Sequence, residues 1–347
     1  MSLALGPYFP ILRIKGSEKE ALRQLTPAQQ PGVTPLIQQT RYHSIMNLEA
    51  FILETRPVGS TSLIDIWDTE TWADIQKLIT HLQSKNRVVI PVIKLSTPSA
   101  VIKELAHSLA NKTLPAIAYR ATQQDYAHIC SMVNSLTTRG APTQNIIGII
   151  DLQNLYGPSA TGKQTIAVQG LKAFRTNKIT NLVIAGGSMP PSLKTFAKFP
   201  ETSPYIPAQV KREEWDIWQN LITGKEFPNV AFGDYTVFPS KISKGGGGGY
   251  YVAFRYTDKG QWLIFNAGLS TEPGNTSHYK ALAANLVAHS AFTGPHTCWG
   301  DAEIASVAAG APRKGGSSKP LSFTANHHII TVAGMILGMS RGPLIVP

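Results

Sequence analysis

The chain has 347 residues, 43% of them hydrophobic, enough for a full core and more than the roughly 250 residues a (β/α)8 barrel needs. Its formal net charge of +11 and pI near 9.6 favour acidic partners such as nucleic acid, although the Lys and Arg residues are scattered and never form a long run. Only two cysteines occur, Cys130 and Cys298, far apart and in no metal-ligand spacing, which excludes a disulfide framework and fits a reducing, cytoplasmic compartment.

Met1–Pro10 lacks a basic n-region and is broken by Gly6, Pro7 and Pro10, so no signal peptide is expected. Eight short apolar runs then recur: Phe9–Lys15, Val33–Gln39, Ser62–Asp68, Val88–Lys94, Leu114–Arg120, Ile146–Asp151, Asn181–Gly187 and Asn229–Asp234. They are rich in Val and Ile and almost continuously apolar, as strands covered on both faces are. Helices separate them. Ser17–Leu25 carries Glu18 and Glu20 early and is stopped by Pro27. Ser44–Thr55 puts Ile45, Leu48, Phe51 and Ile52 on one face, and Thr69–Ser84 opens on a Thr cap before Ile75, Leu78, Ile79 and Leu82. Thr97-Pro98 starts a further helix, followed by Thr122–Arg139, a helix after Lys163, and Lys211–Ile222 with Trp215, Ile217, Trp218 and Leu221 on its apolar side. This alternation predicts an α/β fold, a TIM-like (β/α)8 barrel, whose chemistry sits where the strands end.

After Asp234 the pattern changes. Gly245–Gly249 is a five-glycine run that reads as a hinge. Tyr250–Tyr256 and Gln261–Ala267, joined by Thr257-Asp258-Lys259-Gly260, read as a β-hairpin inserted in the last unit. A helix at Tyr279–Phe292 and an irregular tail from Gly294 follow. The expected organisation is a barrel core over 1–236, a Gly-rich hairpin insertion over 237–278, and a closing helix with a C-terminal extension over 279–347 packed on the barrel. The late apolar stretch Ile329–Leu337 is too short to span a bilayer, so no membrane partner is expected.

Gly157-Pro-Ser-Ala-Thr-Gly162-Lys163-Gln164 nearly spells a P-loop. Gln164 stands where the motif needs a Mg²⁺-ligating hydroxyl, Pro158 removes a backbone donor, and the next strand offers no acid, so the segment reads as a surface loop.

The strand ends are the better constellation. Lys15, Lys94 and Arg120 terminate three strands, and Asp68, Asp151 and Asp234 terminate three others. If the faces carrying them point inward, basic groups for a phosphate or carboxylate meet acids able to act as general base or metal ligand. Gly186-Gly187-Ser188 ends the seventh strand, where barrels bind phosphate through backbone amides, and Tyr235 follows Asp234. Polar residues also cap strands for purely structural reasons, so ion pairs at the rim fit the same pattern. A second polar cluster, Cys298-Trp299-Gly300-Asp301 and Asn326-His327-His328, offers a histidine pair for metal, proton relay or phosphate, or a satisfied structural pair. The expectation is that the tail folds over the barrel mouth and that Asp234 or Asp301 fixes the tautomer of a histidine.

Tyr8-Phe9-Pro10-Ile11-Leu12-Arg13-Ile14-Lys15-Gly16, then Thr34-Pro35-Leu36-Ile37, resembles the opening of the "beta" family of bacterial and phage proteins. Phe232-Gly233-Asp234-Tyr235, Trp299-Gly300-Asp301 and Asn326-His327-His328 resemble its later motifs, so the likeness runs from about residue 8 to residue 332. It implies a bacterial or phage protein of mobile or defence-related gene neighbourhoods and supplies no established reaction or cofactor. Two functions follow as expectations. One is a basic intracellular binding or accessory protein of phage–host conflict, contacting nucleic acid or a partner complex. The other is a barrel hydrolase acting on a phosphoester, with Asp151, Asp234, His327 and His328 as catalytic candidates and Lys15, Lys94, Arg120, Gly186, Gly187, Ser188, Tyr235 and Asn326 as ligand-binding ones.

Overall fold

Each of the eight apolar runs carries a strand in the computed structural model: β1 Tyr8–Arg13, β2 Leu36–Gln38, β3 Thr61–Asp65, β4 Val88–Ile93, β5 Ile117–Ala121, β6 Ile146–Asn154, β7 Asn181–Gly187 and β8 Ala231–Asp234. Neighbours pair in parallel, and β8 pairs with both β7 and β1, closing the barrel. The structure describes all residues except 1–2, 41–42, 67–69, 200–204, 225, 242–250, 272–277, 312–318, 340–342 and 347. The glycine run Gly245–Gly249 and the strand-end candidate Asp68 lie outside the described residues.

Among the described residues seven helices link the strands: α1 Gly16–Arg23, α2 Ile45–Thr55, α3 Trp72–Ser84, α4 Ser99–Ala110, α5 Ile129–Thr137, α6 Lys163–Thr176 and α7 Glu213–Thr223. Local chemistry sets several starts. Ser44 and Asn47 form a reciprocal capping box at α2, and the Thr71 hydroxyl accepts from the Asp74 amide at α3. The helix expected over Thr122–Arg139 is split: a 3-10 stretch, Gln123–His128, capped by Thr122 and Asp125, precedes α5.

Alternation along the strands separates two cores. Phe9, Ile11, Leu36, Leu63, Ile90, Val92, Ala118, Ile149, Val183 and Ala185 fill the barrel, while Leu12, Ile37, Ile64, Ile93, Ile117, Ile150 and Phe232 face the helices. The N-terminal end is plugged by a two-stranded antiparallel sheet of Leu3–Leu5 and Leu344–Val346, with Leu5 and Val346 buried in the interior cluster.

Beyond β8 the hairpin forms as Tyr251–Asp258 and Gln261–Leu269, and it gains a third antiparallel strand, Ala208–Lys211, from the β7–β8 connection. The tail is helical: α8 Tyr279–Ala288, α9 Trp299–Ala308 and α10 Lys319–Gly338. Of these α10 packs on α1 and β1 as the eighth barrel helix, whereas α8 packs on the hairpin and α9. The tail looks irregular in sequence because α10 is buried on several sides and shows no amphipathic period. Hairpin, α8, α9 and the start of α10 enclose a third core around Phe254, Tyr256, Phe265, Leu282, Ile304 and Phe323. Among the described residues no helix is long and apolar enough to cross a membrane.

Candidate functional site

The same alternation decides which strand-end residues face the barrel mouth. Arg13, Gln38, Asp65, Arg120 and Asp151 each lie two residues beyond an interior side chain, at Ile11, Leu36, Leu63, Ala118 and Ile149, and so point inward. Arg120 is their hub. Its Nη1 donates to Asp65 Oδ2 at 2.5 Å, its Nη2 to Asp151 Oδ2 at 2.7 Å and to the Tyr235 hydroxyl at 2.6 Å, and its Nε to Asp151 Oδ2 at 3.1 Å. The Tyr235 hydroxyl donates in turn to Asp151 Oδ2 at 2.7 Å, and Lys94 Nζ reaches Asp65 Oδ1 at 2.9 Å. Burial works against the Arg120 charge, but Tyr235, Asp151 and Asp65 outweigh it and hold the guanidinium protonated. Arg13 donates to the carbonyls of Pro239 and Ser240, anchoring the segment after β8 over the mouth.

Among the described residues nothing covers the ends of β4 to β6. There a pocket of about 490 Å³ is lined by Gln38, Lys94, Ser96, Arg120, Thr122 and Asp151, together with Leu95, Asp125 and Gln153. Gln153 holds a left-handed backbone (φ 59°), with its amide donating to Asp151 Oδ1 at 2.9 Å. Lys15 is exposed beside the mouth, its ammonium 5.9 Å from the Phe238 ring centroid.

Asp234 does not join this pocket. It shares the outward face of β8 with Phe232 and is buried between the barrel and α10. The Tyr8 hydroxyl donates to its Oδ1 at 2.7 Å, while Arg212 Nη2 (3.2 Å) and His328 Nε2 (2.9 Å) meet its Oδ2. Burial opposes the Asp234 charge, yet His328, Arg212 and Tyr8 hold the carboxyl below its ordinary value; burial in turn lowers His328 against the pull of Asp234. The contacts fit an imidazole that donates from Nε2 to the carboxylate and accepts the Thr257 hydroxyl at Nδ1, 2.7 Å away. His327, one residue earlier, meets Asp301 Oδ2 at 3.1 Å and the Thr257 carbonyl at 3.0 Å, and stacks on Tyr256 with ring centroids 3.8 Å apart. Asp301 also accepts from Tyr256 and Thr293.

The remaining candidates are engaged in packing and backbone bonds. Asn326 accepts the Gly300 amide at 3.0 Å and donates to the Ala21 carbonyl at 2.9 Å, tying α9, α10 and α1 together. The Ser188 amide donates to Glu214 Oε2 at 3.0 Å, and its hydroxyl faces Trp262 Nε1 at 3.2 Å. Gly187 packs on Tyr235, and Gly186 on Leu155. The structure thus divides the candidates. Lys94, Arg120, Asp151 and Tyr235 meet in the mouth; Asp234, His327, His328, Asn326 and Ser188 lie in a polar network between the barrel and its C-terminal elements. Cys298, Asp301 and His327 lie close enough to share a cation, but their polar atoms already serve one another and the helix start, where Cys298 Sγ accepts the Asp301 amide at 3.3 Å.

Asp65, Arg13 and Gln38 are the mouth residues that sequence reading passed over. Extending the strand parity from Leu63, Ile11 and Leu36 finds all three. Arg212 and Glu214, a buried pair 3.4 Å apart, carried no motif.

The family model described as Beta protein matches residues 8–334 of the chain. No curated protein matches it. Among solved structures, a mandelate racemase/muconate lactonizing protein from Herpetosiphon aurantiacus is 11% identical over 77% of this chain and 64% of that chain, with a TM-score of 0.37.

Proposed function

We propose that this chain, which belongs to the Beta protein family, is an intracellular binding protein of phage–host conflict that takes the phosphate backbone of a nucleic acid at its barrel mouth. The observation that carries the reading is the open pocket at the ends of β4 to β6. It sets Lys94 and the edge of Arg120 beside neutral polar side chains of Gln38, Ser96 and Gln153, while the carboxylates of Asp65 and Asp151 are engaged by those cations and that of Asp125 by the Thr122 amide and hydroxyl. A phosphate oxygen suits such donors, and the net charge of +11 supplies long-range attraction. Free thiols at Cys130 and Cys298 accord with a reducing compartment.

Labelled single- and double-stranded oligonucleotides titrated across a salt series test this. Affinity is expected to fall steeply with salt, with little sequence preference. No binding at low salt overturns the reading. The placement of Asp151 on the pocket wall favours one competitor, phosphoester hydrolysis. Cleavage of an oligonucleotide that disappears in Asp151→Asn would select it instead.

A further inference from the structure

The opposite end of the barrel holds a cation with no counter-charge among the described residues. Arg56 follows α2 and is buried. Its Nη1 donates to Gln30 Oε1 at 2.5 Å, and its Nη2 to the carbonyls of Val33 at 3.2 Å and Thr61 at 3.3 Å. Its Nε has no partner among the described residues. All three bonds run to neutral oxygens. The neighbouring charge is another cation, Arg87, whose Nε donates to the Arg56 carbonyl at 2.7 Å. Burial and then Arg87 push the Arg56 guanidinium down to about 10, with no carboxylate acting the other way. A buried charge left unpaired is costly, and an anion entering beside it would relieve that cost.

Arg56 lines a pocket of about 580 Å³ and is the sole charged residue of its wall among the described residues. The rest is mainly apolar or backbone, including Leu5, Pro7, Pro31, Pro57, Val58 and Leu337. Val58 is 68% exposed and Leu337 51%, so the entrance is as greasy as the interior. An apolar chamber with a single uncompensated guanidinium matches a molecule with an aliphatic body and one anionic end.

We propose that this basal pocket is a binding site for an aliphatic carboxylate, whose head pairs with Arg56 and whose chain lies along Pro57, Val58 and Leu337. The site is independent of the mouth and of any nucleic acid bound there.

Octanoate is the probe, followed by thermal shift and calorimetry, with acetate and 1-octanol as controls. Octanoate is expected to raise the melting temperature saturably, and acetate and octanol at the same concentration to leave it unmoved. Arg56→Gln should weaken octanoate at least tenfold. Because Arg56 also clamps three segments, Val58→Asp provides a second variant: on the exposed rim it should keep the melting temperature of the free protein and still weaken octanoate tenfold by repulsion. Equal binding of octanol and octanoate, unchanged affinity in Val58→Asp, or no saturable shift with octanoate overturns the proposal.

Discussion

Asp234 and His328 stand 94 positions apart in the chain and 2.9 Å apart in space, and they meet on the outer face of the barrel rather than in its mouth. The contact joins β8 to α10, with Thr257 of the hairpin closing the other side of the imidazole. Motifs that read as chemistry in the sequence are here the polar joint between barrel and C-terminal elements.

The joint sets a first prediction. Asp234→Asn should cost about 3 kcal/mol, because Arg212 and the neighbouring polar groups lose a buried anion. His328→Ala should cost about 2 kcal/mol through lost bonds and packing. The double variant should fall short of the sum by about 1 kcal/mol, since both remove one interaction. Denaturant unfolding of the three proteins measures this; additive, near-neutral effects would contradict a shared network.

Gly300 offers a steric test. A Cβ there would lie 2.0 Å from the Phe323 carbonyl oxygen, so α9 and α10 touch through that glycine. Gly300→Ala should destabilise by about 3 kcal/mol. Proteolysis should then cut first around α9, a result that an intact melting curve would exclude.

The pH dependence follows from Glu214. Burial raises its carboxyl from 4.5 to about 7 in the folded chain, against the pull of Arg212. The folded state therefore holds its proton more tightly than the unfolded one. That stabilisation is full below about pH 4.5 and is lost as pH rises through 7, amounting to about 3 kcal/mol. Glu214→Gln removes the titration, so its stability relative to the parent should increase from pH 5 to pH 8. Melting temperatures of both proteins across that range check it, and a constant difference would show that Glu214 does not titrate there.

Two cations of the mouth should behave differently. Arg120→Met strands Asp65 and Asp151 in a buried site and should cost about 3–5 kcal/mol. Lys94, partly exposed, should change stability by less than about 1 kcal/mol on substitution by Ala. On the proposed reading Lys94→Ala should also reduce the slope of log affinity against log salt by about 1, measured with the oligonucleotides.

The barrel was legible because buried parallel strands leave near-continuous apolar runs, and all eight appear where those runs lie. Strand ends were legible as positions but not as directions. Asp234 and Tyr235 are adjacent in sequence and project to opposite faces, one into the joint and the other into the mouth. The hairpin showed through its turn, but its third strand, Ala208–Lys211, is too short to signal and carries a lysine at its end. The helical tail stayed hidden for the opposite reason to the barrel: α10 is apolar on too many sides to show a period.

The Asn326 amide that binds the Ala21 carbonyl spans 305 positions of chain. The eighth helix of the wall comes from near the far end of the sequence, while the helix and strand it covers, α1 and β1, come from near the beginning. During synthesis those early elements must wait with an uncovered apolar flank until α10 leaves the ribosome. Closure then depends on a long loop being brought together, which slows the last step of folding. The waiting barrel, one helix short, is the species most exposed to aggregation, and the one a chaperone would hold.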